Sequence, residues 1–72
     1  MDLRKLVGRN VRRIRQQRGW SQEYLAFEAG LHRTYLSGVE RGVRNPTVLI
    51  IAQIAQALAV DPTELLQKAG TR

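Results

Sequence analysis

Residues 21–42, SQEYLAFEAGLHRTYLSGVERG, constrain this chain more than any other stretch, because they read as two short helices joined by a tight turn through Gly30. Ser21 is a good N-cap, and Glu23 sets an acid in the first turn, where free backbone amides favour negative charge. Leu25, Ala26 and Ala29 form the inner face of the first helix of the pair. The second runs from about His32 to Val39 over Leu36 and Val39, and Gly42 supplies the permissive backbone for its exit.

The flanking segments carry the same helical spacing. Residues 2–17 bear Leu3, Leu6, Val7, Val11 and Ile14 in an i, i+3/i+4 pattern, with Arg and Gln on the other faces and Gly19 beyond the end. Val43-Arg44-Asn45-Pro46 reads as loop. Thr47 then caps a helix with the inner stripe Val48, Ile51, Ile54, Ala55 and Leu58. Asp61-Pro62-Thr63-Glu64 is the cleanest start in the chain: an acid N-cap, Pro at N1 and Glu at N3, as in a capping box. The helix it opens faces inward through Leu65, and residues 70–72 are expected to fray. The expectation is one compact all-α domain over residues 1–72, with five helices at about 2–17, 21–29, 32–39, 47–58 and 62–68. No linker or internal repeat interrupts it.

Composition narrows the chemistry. A chain of 72 residues buries roughly 60% of its unfolded surface, so its core is thin. There is no cysteine, and the single His32 cannot anchor a zinc site alone. No metal or cofactor is therefore expected. No Ser–His–acid or paired-carboxylate constellation and no phosphate-cradling glycine motif is evident, which argues against an enzyme. The longest apolar run, Val48 to Ile51 followed by Ala52, stops at Gln53. It falls far short of the ~18–20 residues of a membrane span. The N-terminus lacks the apolar stretch of a signal peptide, and the first helix has too little large apolar surface for a membrane anchor. A cytoplasmic, nucleoid-associated protein is expected by default.

Twelve Lys/Arg against six Asp/Glu leave a net charge of +6. Arg4, Lys5, Arg9, Arg12, Arg13, Arg15 and Arg18 crowd the first eighteen residues, offset there by Asp2 alone. Such a balance favours a polyanion, nucleic acid ahead of acidic lipid, without separating DNA from RNA. The helix pair makes that separation: it points to a second helix lying in the major groove of DNA. Tyr24, Phe27 and Tyr35 do not form the aromatic sheet surface of a common RNA-binding module.

An ordered series of landmarks carries a family resemblance. It runs through Val7-Gly8, Val11, Ile14-Arg15, Trp20-Ser21-Gln22-Glu23, Leu25-Ala26, Ala29-Gly30-Leu31, Leu36-Ser37, Val39-Glu40-Arg41-Gly42 and Asn45-Pro46-Thr47. It continues as Ile51, Ile54-Ala55, Ala57-Leu58, Val60-Asp61 and Leu65. Residues 7–66 closely resemble the lambda-repressor-like (Cro/C1, XRE-type) helix-turn-helix domain. That domain occurs in phage repressors, small bacterial regulators and the controller proteins of restriction–modification systems. The length suits a stand-alone regulator such as a controller protein.

The resemblance implies a five-helix fold in which helices two and three form the DNA-reading unit and the start of helix three faces base edges. Arg33 is the foremost base reader, since a guanidinium donates two hydrogen bonds to guanine O6 and N7. Thr34 offers a methyl or hydroxyl, and Ser37 is a further candidate. His32 takes the usual capping position, where phosphate contact, a weak cap and no role at all remain open. Gln22 looks like the family's phosphate-binding glutamine, working with the helix N-terminal amides. Arg44 and Asn45 are expected to give at least one backbone contact. Arg9, Arg12 and Arg13 are candidates for the same strand, though their rotation around helix one keeps all three from reaching it, and Tyr35 is a candidate through its hydroxyl. Gly38 stands where relatives often carry a long polar side chain; close approach and drift both account for it. Arg15 and Glu40 match a structural ion pair between helix one and the end of helix three. Trp20 reads as a core or hinge plug, and Phe27 is apolar where relatives are often polar.

Leu49 and Ile50 extend the apolar surface of helix four and, with Leu66, make a candidate homodimer patch, the alternative being that they pack beneath helix five. The implied function is recognition of double-stranded DNA by a homodimer on a pseudo-palindromic operator, for repression, activation or both. Activation would call on a surface facing RNA polymerase, for which Glu23 and Glu28 are candidates. The competing reading is an antitoxin-like or other protein-docking helix-turn-helix module with secondary DNA binding.

Overall fold

The computed structural model describes residues 2–68, so the fray expected at 70–72 lies outside the described residues. Within them the chain forms α1 (Leu3–Gln17), α2 (Gln22–Ala29), α3 (Arg33–Arg41), α4 (Val48–Leu58) and a 3-10 turn, Pro62–Leu66. Side-chain caps start most of these elements. Asp2 Oδ1 accepts from the Arg4 amide, Ser21 Oγ from the Tyr24 amide and Thr47 Oγ1 from the Ile50 amide. Each satisfies one of the amides that a helix start leaves without an internal partner.

The last element corrects the expected helix count. Asp61 Oδ1 accepts from the Thr63 amide at 2.9 Å and from its hydroxyl at 2.7 Å, and the Glu64 amide donates to Asp61 O, three residues back. Gln67 is already extended, at φ −81° and ψ 145°. Five residues between those limits are too few to repay nucleation of an α-helix, so the segment stays a 3-10 turn. The bonds from Thr63 also hold the Asp61 carboxyl below its ordinary pKa. This cap therefore contributes fully above the unfolded Asp pKa and fades as pH falls through the lower folded value.

Helix α1 packs on α3 and the 3-10 turn, while α2 packs on α3 and α4. Leu25, Leu36, Ile54, Leu58, Leu65, Val11 and Val39 are fully buried at the centre. Two positions assigned inward from periodicity turn out exposed: Leu3, the first residue of α1, and Val48, the first of α4. Two small or polar residues are buried instead. A Cβ on Gly8 would sit 2.6 Å from the Glu40 carbonyl oxygen and closer still to that of Val39, so α1 meets the end of α3 main chain to side-chain-free main chain. Asn10 is fully buried and donates through Nδ2 to Leu65 O at 2.9 Å and Gln67 O at 2.7 Å, fastening the 3-10 turn to α1.

Helix α4 ends at Ala59 in the left-handed region, at φ 60° and ψ 41°. Arg18 lies against this exit, with Nε and Nη2 both donating to Leu58 O. A Cβ is costly in that conformation. Ala59→Gly should accordingly raise the stability of the domain by about 1 kcal/mol, and Gly8→Ala should lower it by about 1–3 kcal/mol through overpacking. Thermal or urea denaturation of the two variants measures both signs.

Candidate nucleic-acid interface

The turn between α2 and α3 is built by Gly30 at φ 71° and ψ 32°, whose amide returns to Ala26 O and Phe27 O. Leu31 closes it with a bond to Ala26 O at 2.9 Å, and Gln53 Nε2 from α4 donates to Ala29 O at 3.0 Å. Leu25, Ala26, Ala29, Leu36 and Val39 fill the angle between the helices. The opposite face is left to solvent, and on it stand Arg33 and Thr34, both exposed in the first turn of α3. Ser37 and Tyr35 are half-buried beside them. His32 occupies the N-cap position but its side chain makes no cap bond.

Arg33 shares a concavity of about 320 Å³ with Ser21, Gln22 and Glu23, so the starts of α2 and α3 open onto one shallow site. Gln22 is anchored from behind: its Nε2 donates to Glu40 Oε1 at 3.0 Å. Glu40 is itself buried and gripped by Arg15, with Nε to Oε2 at 2.7 Å and Nη2 to Oε1 at 3.0 Å. The remaining arm of Arg15 donates through Nη1 to Trp20 O at 2.7 Å. Trp20 is half-buried against the core and meets Tyr24 edge to face, centroids 4.7 Å apart. Of the two readings open for it, core or hinge plug, its packing is that of a core-edge residue.

The other flank of α3 has a feature that the sequence left open. A Cβ on Gly38 would lie 2.6 Å from Arg44 Cγ. The amides of Val43 and Arg44 both reach back to Gly38 O, at 3.0 and 3.3 Å. The loop thus folds onto the bare Gly38, and the Arg44 stem crosses α3 until its guanidinium carbon stands 5.6 Å from the centre of the Tyr35 ring. That is within cation–π range, so the ring and the main-chain bonds hold Arg44 near the recognition face. Asn45 is directed elsewhere: it lines a groove of about 170 Å³ with Leu3, Arg4, Val7, Pro46, Ile51 and Leu66.

Much of the basic cluster is engaged within the fold. Arg15 and Arg18 bond across the domain, Arg13 Nη2 donates to Asn10 Oδ1 at 3.1 Å, and Arg4 pairs with Asp2 at 3.5 Å. Among the described residues, Arg9 and Arg12 have no such partner and are exposed on α1. Of the candidate dimer residues, Leu49 is 75% and Leu66 47% exposed. Ile50 is half-buried and packs on the core.

Comparisons with known proteins place this geometry. The helix-turn-helix family model HTH_3 matches residues 11–65. The control protein C.BamHI of Bacillus amyloliquefaciens is 50% identical over 66 residues, covering 90% of this chain and 82% of that protein. The crystal structure of the restriction–modification controller protein C.AhdI from Aeromonas hydrophila superposes with a TM-score of 0.84 at 45% identity, over 86% of this chain and 94% of the other. The controller C.Esp1396I, crystallised as a tetramer with its natural 35 base-pair operator, superposes with a TM-score of 0.80 at 33% identity, covering 93% and 99% of the two chains.

Substituting Gly38 tests the seat of Arg44. In Gly38→Ala, the gain in helix propensity of about 1 kcal/mol opposes the cost of displacing a flexible side chain, so the domain should stay folded. The Tyr35 ring protons should shift in the NMR spectrum as the guanidinium leaves the ring, and Arg44→Ala should reproduce that shift.

Proposed function

The chain belongs to the lambda-repressor-like helix-turn-helix family, a family of DNA-binding transcriptional regulators, and on that premise we propose how it reads DNA. The observation that carries the reading is the exposed first turn of α3, with Arg33 and Thr34 standing between two flanks of hydrogen-bond donors. Arg33 and Thr34 contact base edges in the major groove, with Ser37 and His32 at the margins. Gln22 and the first-turn amides of α2 take a phosphate on one flank, and Arg44, with Tyr35 beneath it, takes one on the other. Arg9 and Arg12 are available to the backbone, and Asn45 supports the loop from the side of its groove.

One copy measures 30 Å along its longest axis, less than the ~34 Å between successive major-groove faces of one side of the duplex. A single domain therefore suits a half-site, and a homodimer suits a pseudo-palindrome. Leu49 and Leu66, with Ile50 supporting them from the core, form the proposed contact. The likeness to C.BamHI and C.AhdI supports a controller role in a restriction–modification system. Repression requires only occlusion of the promoter. For activation, Glu23 and Glu28 are exposed on α2 and are the proposed contacts to RNA polymerase. Activity without catalysis and a place on the nucleoid in the cytoplasm complete the reading; among the described residues no helix is long and apolar enough to cross a membrane.

Selection from a randomised duplex library near physiological salt should recover an inverted repeat. A folded protein that enriches no motif would point instead to a protein-docking module. With the half-site known, Arg33→Ala should relax the preference at one base pair by about 1–3 kcal/mol, measured by competition with substituted duplexes. Leu49→Glu should convert dimer to monomer in sedimentation experiments while leaving the helical circular dichroism unchanged.

A further inference from the structure

We infer that Glu40 is a positioning residue for DNA binding, holding the Gln22 amide ready for the phosphate that Gln22 is proposed to contact. The inference rests on that reading of Gln22. Arg15 already neutralises the Glu40 charge and bonds both its oxygens, at 2.7 and 3.0 Å, so the third donor is not needed to satisfy the carboxylate. That third donor is Gln22 Nε2, at 3.0 Å from Oε1, on a residue that is half-buried at the rim of the concavity shared with Arg33.

The bond has a consequence for the Gln22 side chain. A glutamine with free torsions populates many rotamers and loses them on meeting a ligand. Here one amide proton is committed to Glu40, which leaves the second directed away from that carboxylate. Ser21 Oγ occupies the Tyr24 amide and Ser21 O the Leu25 amide. The amides of Gln22 and Glu23 therefore remain as first-turn donors beside the oriented side chain. Buried charge at Glu40 is thereby converted into a fixed donor direction on the surface.

Electrostatics and positioning make opposite demands when Glu40 is neutralised. Removing a negative charge close to the DNA face strengthens binding to a polyanion by simple attraction. In Glu40→Met, however, no oxygen is left to accept from Gln22 Nε2, so the Gln22 amide is released and binding weakens.

The test is a double-mutant cycle on a duplex carrying the selected half-sites, with Gln22→Ala, Glu40→Met and the pair. Gln22→Ala should weaken binding about tenfold in the wild-type background, the scale of one hydrogen bond to a charged acceptor. It should leave the salt slope unchanged, since no cation is lost. In the Glu40→Met background the same substitution should cost about twofold or less. Equal tenfold losses in both backgrounds would overturn the positioning role and keep the phosphate contact. No loss from Gln22→Ala in the wild type would overturn the contact and the inference together. Should Glu40→Met fail to fold, the wild-type protein decides: the Gln22 side-chain NH₂ pair should be ordered in ¹⁵N relaxation without DNA, and a freely averaging pair would overturn the proposal.

Discussion

The pairing of Arg15 with Glu40 is the constraint on which the rest of this small domain depends. One guanidinium bridges α1 to the end of α3 through two charge-assisted bonds and to the α1–α2 turn through Trp20 O, and the carboxylate passes a further bond to the start of α2. Three helices are thus indexed to a single planar group. Taking both charges out of water is costly, and a bidentate geometry with each guanidinium nitrogen bonded is what makes it tolerable. Removing either partner alone would strand a buried charge, a loss of about 3–5 kcal/mol, which is a large share of the stability that a thin core supplies. The close passage of α1 over α3 at Gly8 depends on the same docking, because a bare main-chain contact tolerates no sliding.

Local chemistry was legible in the sequence wherever a residue acts on its own neighbours. Ser21, Thr47 and Asp61 cap the elements they were expected to open, Gly30 and Gly42 take left-handed backbone, and the inner faces of α2 and α3 are as periodicity gives them. Features that arise between distant segments were not legible. Leu3 and Val48 fit their apolar stripes but sit at helix starts and stay exposed. Asn10 falls on the buried face of α1, where spacing alone favours an apolar side chain, because carbonyls 55 and 57 residues away supply its acceptors. The 3-10 turn kept an α-helical start signal, and only its length prevented a helix.

The candidate site divides in the same way. Arg33, Thr34 and Gln22 were expected at helix starts, and they lie there, Arg33 and Thr34 exposed, because these are local positions. The fold of Arg44 over Gly38 onto Tyr35 was not, since it requires knowing where a loop returns. The crowding of arginines near the N-terminus also overstates the charge available to a ligand. Arg15 and Arg18 are tied across the domain by hydrogen bonds, and Arg4 and Arg13 are partly engaged by neighbours. The basic residues thus divide between holding the domain together and attracting a polyanion.

The polar ties between elements share one property: most end on main-chain oxygens. Arg15 bonds Trp20 O, Arg18 bonds Leu58 O, Asn10 bonds Leu65 O and Gln67 O, and Gln53 bonds Ala29 O. A carbonyl is present whatever side chain its residue carries. The frame therefore places little demand on the identity of its partners, and none of these ties involves positions 33, 34 or 37. Substitutions on the outward face of α3 can accumulate without disturbing the scaffold beneath. With that face reading bases as proposed, such a domain can drift toward a new binding sequence in small steps, each variant remaining folded while its preference changes.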